Sequence, residues 1–361
     1  MSERWDVIVV GAGICGLGAA YELARRGARV LVLERVGVGA DQSSGLGRIF
    51  RIAHREARLC ALAVEARALW NAWTEQLDAG RLLGDEGFVV SGPDVLTERA
   101  AAMREAGADA REIDGAELVR RVPHVAADHP WSPALLDPLG GSVRVRRTLD
   151  ALAARLDIRR AEVVAAADDP SRGDAAVRLS DGTVQRAGQM LICAGTRTPE
   201  LAATAGIPLT ATFTHHVRLT YARREPAAPT ACLSVGESYG LPLGSTGHWG
   251  LGLDDPGPPE PWRTSDPDAY AAAVRAQHAE WVPRFLPGLD PTPLDEIRCV
   301  TIEAPWIRHD DGFAAMREGR VTAFLGSNLM KFGPLLADRL ARTVLDPQLE
   351  IDSDLRPPAA T

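Results

Sequence analysis

The residues best suited to chemistry in this 361-residue chain are three glycines, one acid and a few cations. Gly11, Gly13 and Gly16 form G-x-G-x-x-G, and Glu34 follows about 20 residues later. The first glycine of such a set permits a tight turn. The second lets backbone approach a pyrophosphate, and the third lets a helix pack closely on a strand. A helix starting there turns free N–H groups and a positive dipole end toward phosphates. Glu34 is placed to accept the ribose hydroxyls of an adenosine. Cys15 inside the motif and Arg35 beside the acid are further candidate cofactor contacts. Downstream, Arg48 and Arg51 are spaced by three. Lys331 is the only lysine in a chain whose basic residues are otherwise arginine. A retained ammonium points to a need that a guanidinium does not meet, because the two differ in shape, hydration and pKa range. Survival by chance is the bland alternative.

Those residues need elements to position them. The apolar run Val7 to Val10 predicts a buried parallel strand, Cys15 to Arg26 a helix with Gly27 as its stop, and Ala28 to Leu33 a second strand. Strand, glycines, helix, strand and acid in that order make a dinucleotide-binding βαβ unit. The fingerprint alone does not choose FAD over NAD. No second glycine fingerprint follows, so a flavin held here is expected to be reduced by the substrate itself and not by NAD(P)H. The connector after Glu34, VGVGADQSSGLG, contains Ser43 and should lie along the bound dinucleotide. If the next segment is helical, Arg48 and Arg51 project similarly. One arginine then borders the flavin and the other reaches the substrate; the plain alternative is a solvated basic face.

Residues 55–78 read as an amphipathic helix with Trp70 and Trp73 in its core face. Short strands and helices follow (87–92, 95–106, 114–121), then prolines and a strand at 142–145. A helix is expected at 146–156, strands at 161–166 and 174–179, and a buried strand from Gln189 into the turn at Ala194-Gly195. Residues 211–221, 231–236, 239–243 and 247–253 predict a mostly antiparallel sheet roofing the substrate. Asp254 to Trp262 is a proline-rich surface loop. A helix over 267–282, a strand beginning near Cys299, a strand over 319–326 that runs through Gly326 into a turn, and a closing helix from Pro334 to Leu345 complete the pattern; the tail from Asp346 is expected to be disordered. The fold class is α/β: a doubly wound, Rossmann-like dinucleotide-binding domain (1–82, 142–210, 299–345), which the family resemblance below makes an FAD-binding domain, interleaved with an α+β substrate domain on a mostly antiparallel sheet (83–141, 211–298).

Composition sets outer limits. Apolar residues make up 46% and charged residues 24%, as in ordinary globular chains. The formal net charge of −8 argues against nucleic acid or anionic membrane as a partner. No apolar stretch is long enough to span a bilayer, and the first residues lack a basic region and cleavage site. A cytoplasmic location is therefore expected. Five scattered cysteines, none in a C-x-x-C pair, argue against a disulfide framework and a structural zinc site.

Four stretches carry a family resemblance: VVGAGICGLGAAYELARRG with Glu34, GLGRIFRIAH, MLICAGTRT, and EIRCVTI followed by FLGSNLMKFGP. The chain resembles the D-amino-acid oxidase superfamily of FAD enzymes, and within it the monomeric sarcosine oxidase type. The resemblance implies FAD as cofactor, a small amino-acid or amine substrate, and oxidation of its C–N bond. It implies that Arg51 and Lys331 grip the substrate carboxylate and that Arg48 sits by the flavin. Cys299 matches the cysteine that bonds covalently to the flavin in sarcosine oxidase-like members; a buried structural cysteine is the other reading. One departure is plain. The family's lysine that promotes reaction with molecular oxygen would fall near Gly250, where this chain has none. His248 is the candidate substitute charge, since imidazole can be protonated near neutral pH. His54, His216 and Tyr239 are candidate substrate contacts by position. An oxidase using oxygen, a dehydrogenase using another acceptor, and a non-catalytic flavin-binding protein all remain open. An aromatic-type flavin monooxygenase is disfavoured because FLGSNLMKFGP lacks its Gly-Asp pair.

Overall fold

The computed structural model describes residues 5–92, 94–254, 266–307, 311–346 and 350–356. Most of the proline-rich loop expected at 254–262 and the end of the tail lie outside these residues. In chain order the first strands are β1 (Trp5–Val10), β2 (Val30–Glu34), β3 (Gly47–Phe50), β4 (Phe88–Ser91), β5 (Arg111–Ile113) and β6 (Ala134–Asp137). Then come β7 (Gly141–Arg144), β8 (Asp157–Arg160), β9 (Val163–Asp169), β10 (Asp174–Leu179), β11 (Val184–Ile192) and β12 (Thr212–Ala222). The last are β13 (Cys232–Val235), β14 (Ser238–Pro242), β15 (His248–Leu253), β16 (Asp295–Glu303), β17 (Gly312–Glu318) and β18 (Val321–Ser327). The helices used below are α1 (Ile14–Arg25), α2 (Ala57–Leu77), α3 (Ala100–Glu105), α4 (Gly115–Arg121), α5 (Val145–Ala153), α6 (Thr198–Thr204), α7 (Pro267–Phe285) and α8 (Gly333–Leu345).

The chain divides into two compact units. The first comprises residues 1–44, 147–213 and 301–361. Its sheet runs β17-β18-β11-β1-β2-β8, with β10 and β9 continuing from β11. The pairs β18-β11, β11-β1, β1-β2 and β2-β8 are parallel, as a doubly wound fold requires. Ile8, Val10, Leu31, Leu33 and Ile192 point into one core with α6. α1 and α8 pack on each other.

The second unit comprises residues 45–146 and 214–300. Residues 45–82, expected with the nucleotide domain, cluster here instead. The sheet of this unit runs β16-β12-β15-β14-β13-β4-β6-β5, and β3 pairs with β7 as a separate ribbon. Of the recorded pairings in the large sheet, β13-β4 is parallel and those of β12, β14, β15, β5 and β6 are antiparallel. Alternation along the strands gives the sheet two faces. Val217, Leu219 and Tyr221 of β12 and Trp249, Leu251 and Leu253 of β15 bury one face beneath α7 residues Tyr270, Ala271 and Val274. His216, Arg218, Thr220, His248, Gly250 and Gly252 occupy the other. Trp70 and Trp73 of α2 are buried core, as their spacing predicts.

Three sequence expectations fail locally. The tail is ordered in part: Ser353–Leu355 form a 3-10 turn, Leu355 is buried, and Arg339 pairs with Asp352 and Asp354. The segment holding Arg48 is a strand, not a helix: Gly47 to Phe50 pairs with Gly141 to Arg144. Residues three apart on extended backbone face opposite ways, so Arg48 and Arg51 do not share a face through helical spacing. Cys299 lies in the middle of β16 and not at its start. The strands β5, β6, β8 and β17 have no expected counterpart; three or four residues carry too little periodicity to read, and β17 alternates poorly. Among the described residues no helix is long and apolar enough to cross a membrane.

Candidate active site

In the first unit, the glycine motif has the geometry a dinucleotide cradle needs. Gly11 has φ +103°, and a Cβ there would fall closer than 3.0 Å to the Cys193 carbonyl. A Cβ at Gly16 would strike the Gly11 carbonyl just as closely. Gly11 therefore serves the turn and the approach of β1 to β11, and Gly16 serves helix-to-strand packing. α1 starts after Gly13, and its first-turn N–H groups have no acceptors within the helix. One is capped from a distance: Ile14 N–H donates to Ser43 Oγ at 3.1 Å. Ser43 thus ties the connector to the helix start. Glu34 ends β2 and accepts from Ala12 N–H at 2.8 Å and Val36 N–H at 2.7 Å. These bonds hold its carboxylate beside the motif. Cys15 is buried, and burial pushes its thiol up to about 12, so its side chain is an inert packing group. Arg35 is exposed just past the strand. Ala194 leads into a short 3-10 turn at Gly195–Arg197, where Gly195 has φ +57°. A Cβ on Gly195 would come 3.2 Å from Gln42 of the connector. The glycine at 326 has a structural cause: a Cβ there would meet the Gly312 carbonyl and Phe313 of β17. These features fit an adenine dinucleotide such as FAD.

Lys331 also belongs to the first unit. It follows Asn328, which takes a left-handed turn at φ 56°, and precedes α8. Its side chain is 5% exposed, and Nζ lies 2.5 Å from Oδ1 of Asp311, itself 4% exposed. Sequence reading missed Asp311; nothing in its local pattern marks it as the partner of the chain's only lysine.

The second unit carries the arginines. Arg48, on β3, is held near Arg218 of β12. Burial, then the Arg218 charge, pushes Arg48 down to about 9. Cys299 and Tyr239 act on the same guanidinium. Tyr239 is hydrogen-bonded to His216 Nε2, and burial raises its phenol. Arg51 follows β3, and the backbone after it is pinned by Asp137. That buried carboxylate accepts from Ile52 N–H at 2.5 Å and Ala53 N–H at 3.3 Å. Burial pushes Asp137 up, against the pull of these bonds and those from Leu139 and Gly140. His54 is buried in the same turn, and its carbonyl accepts from the Cys60 thiol.

His248 stands apart. It starts β15 opposite Ala222, half-buried, whereas Tyr239 pairs with Gly252 at the far end of that strand. Four residues of strand separate them, roughly 13 Å. The glycines between are fitted closely. A Cβ at Gly252 would land inside the Tyr239 ring's contact distance, closer than 3.0 Å. One at Gly250 would meet Leu243 at 3.2 Å. The face is shaved where the resemblance places a lysine. Arg218 was not singled out from sequence, although a charge amid the alternation Val217–Tyr221 is a readable signal.

A sequence profile described as FAD dependent oxidoreductase matches residues 6–343. The chain is similar to the monomeric sarcosine oxidase of Streptomyces avermitilis, 31% identical over 220 residues that cover 58% of this chain and 56% of that one. It thus spans about half the length of the curated relatives it matches. Its fold is similar to the open form of NikD, an unusual amino acid oxidase essential for nikkomycin biosynthesis. The TM-score is 0.82 at 24% identity, over 99% of this chain and 98% of that one. It is also similar to glycine oxidase from Geobacillus kaustophilus, with a TM-score of 0.80 at 18% identity over the full length of both chains.

Proposed function

The chain belongs to the FAD dependent oxidoreductase family, and from that premise we propose that it oxidises the C–N bond of a carboxylate-bearing amine to an imine. The substrate is an amino acid or a secondary or cyclic amine. The observation that carries this reading is the dinucleotide cradle built by Gly11, Gly16 and Glu34 in a chain of this family. Lys331, the only lysine of the chain, is buried in the same unit and paired with Asp311, and the resemblance assigns it, with Arg51, to the substrate carboxylate.

FAD, when bound, would supply the acceptor for a hydride, which carries both electrons. The remaining work falls to the chain. Gly11, Gly13, Gly16 and Glu34 hold the adenosine and pyrophosphate end. Arg51 and Lys331 fix the carboxylate and so the α-carbon hydrogen, and positioning of this kind is worth several kcal/mol of barrier. Asp311 orients Lys331 through their buried ion pair. Cationic, desolvated surroundings lower the pKa of the substrate amine, which must be neutral to react. Cys299 is the candidate covalent attachment point.

The test is anaerobic mixing of the yellow protein with a panel of amino acids and secondary amines. Bleaching of the flavin's visible absorbance by at least one carboxylate-bearing amine is expected. Lys331→Met and Arg51→Ala should each slow that bleaching by at least about tenfold, the loss of one charge-assisted contact, with flavin retained. Unchanged rates in both variants would reject the carboxylate clamp.

A second reading concerns the acceptor. The sheet face where the resemblance places a lysine carries Gly250 and Gly252 instead, and the chain's only lysine is Lys331. This favours a dehydrogenase that passes electrons to something other than oxygen. Slow reoxidation of the reduced protein in air would support it; rapid return of the yellow colour would remove it.

A further inference from the structure

Among the described arginines, Arg218 is the one with two buried nitrogens that have no hydrogen-bond partner. It sits in the middle of β12, on the face opposite the Val217–Leu219–Tyr221 core, and is 7% exposed. Its Nε and Nη2 are buried and have no hydrogen-bond partner among the described residues. Most arginines of this chain that are ion-paired sit at the surface and face a carboxylate, as Arg275 faces Glu296 and Arg298 faces Asp268. Arg218 has a second cation instead. Arg48 Nη1 and Arg218 Nη2 lie 3.4 and 3.7 Å from one point, the Cβ position of Gly45, so at most 7.1 Å separates them. Among the described residues, the charged or ionisable groups that act on the neighbouring Tyr239 are Arg218, Cys299, Arg48 and Tyr270, none of them a carboxylate.

Burying a guanidinium without a partner is costly, and placing another guanidinium beside it adds to that cost. A fold keeps such an arrangement when an anion from outside completes it. The register agrees. Leu219 pairs with Leu251, so one step further sets Arg218 beside Gly252, which pairs in turn with Tyr239. Arg218, a side-chain-free glycine and the Tyr239 phenol therefore form one row across three strands. His216 fixes the phenol by hydrogen bond. Two forked cations and a hydroxyl match the planar oxygens of a carboxylate.

We propose that Arg218, flanked by Arg48 and Tyr239, binds a second carboxylate of the substrate, so that the preferred substrate is an amino or imino dicarboxylic acid. This rests on the reading of the chain as an oxidant of carboxylate-bearing amines, and it adds a demand that the first carboxylate does not make.

The test uses the FAD-loaded protein and two thioethers that cannot be oxidised at nitrogen, (methylthio)acetate and thiodiacetate. Their Kd values are measured by calorimetry. The wild-type protein should bind thiodiacetate at least about tenfold more tightly, the worth of one charge-assisted contact. Arg218→Gln should erase that preference while changing the Kd of (methylthio)acetate about threefold or less, and Arg218→Lys should restore part of it. Equal weakening of both ligands would overturn the proposal, because Arg218 would then serve the only carboxylate. So would release of FAD from Arg218→Gln, since the guanidinium would belong to the cofactor. Binding of (methylthio)acetate with no preference for thiodiacetate sinks this inference alone. Binding of neither ligand to the wild-type protein sinks the amine-oxidising reading with it.

Discussion

The two units handle charge in opposite ways. In the first, the cradle around Gly11 and Gly16 is made of backbone and small residues, and its buried lysine is matched by Asp311. In the second, Arg48 and Arg218 crowd together on a desolvated sheet face. The difference teaches where specificity is written. A nucleotide's phosphates and ribose are met by groups any chain possesses, N–H dipoles above all. A particular small acid is met by side chains whose charges are left unbalanced until it arrives.

The comparison can be broken from the nucleotide side first. Gly11→Ala should have the largest effect, because it adds both an unfavourable positive φ and a clash with the Cys193 carbonyl. A loss of about 3 kcal/mol or more is expected, read as a lower urea midpoint and a colourless protein. A yellow variant of normal stability would show that the turn is not constrained as described. Next comes the matched pair. Lys331→Met strips Asp311 of its ammonium and should cost about 3–5 kcal/mol, and Lys331→Met with Asp311→Asn should recover most of it. If the double variant is no more stable than the single one, the pair is not the reason the lysine tolerates burial.

Two smaller effects sharpen the account of the second unit. Asp137→Ala leaves Ile52 N–H and Ala53 N–H without their acceptor and should cost about 1–3 kcal/mol. Because Arg51 precedes these amides, KM for the substrate should rise more than kcat falls. A change in kcat alone would place Asp137 elsewhere in the reaction. The mildest test is acid. Burial pushes His124 down to about 3 and His278 down to about 4. Below pH 6.5 the unfolded chain takes up protons at both while the folded unit does not. Stability therefore falls as pH drops from 6.5 toward those values. At pH 5.5, one unit into that window, each histidine should cost about 1 kcal/mol. Hydrogen exchange in β15 and α7 should quicken by pH 5.5, and replacing His278 with Gln should blunt the change. Acid-indifferent exchange there would contradict the assignment of neutral, buried rings.

Much of the first unit was legible. Gly11, Gly13, Gly16 and Glu34 act locally, and the strand and helix periods around them are long enough to read. Ser43 is a candidate cofactor contact by position, yet its cap on Ile14 spans 29 residues and is invisible to spacing. The second unit was harder. The strand around Arg48 is four residues long, and a spacing of three fitted a helix equally well. Asp311 and Asp137 lie 20 and about 85 residues from the groups they hold, and only the folded chain brings them there. Arg218 was different in kind. A cation inside an alternating strand is visible in the letters, but its burial, and with it its meaning, is tertiary.

Gly252 and Tyr239 have a consequence for descent and for engineering. The ring fills the volume a side chain at 252 would need, so neither position can change freely while the other stays. A lineage that acquires a bulky residue at 252 must shrink 239 first, and the intermediate would have an uncovered glycine and would lose the Tyr239 hydrogen bond to His216. Substitutions at the two sites should thus be strongly non-additive, and a larger side chain at 252 will succeed as a paired exchange with 239 or fail.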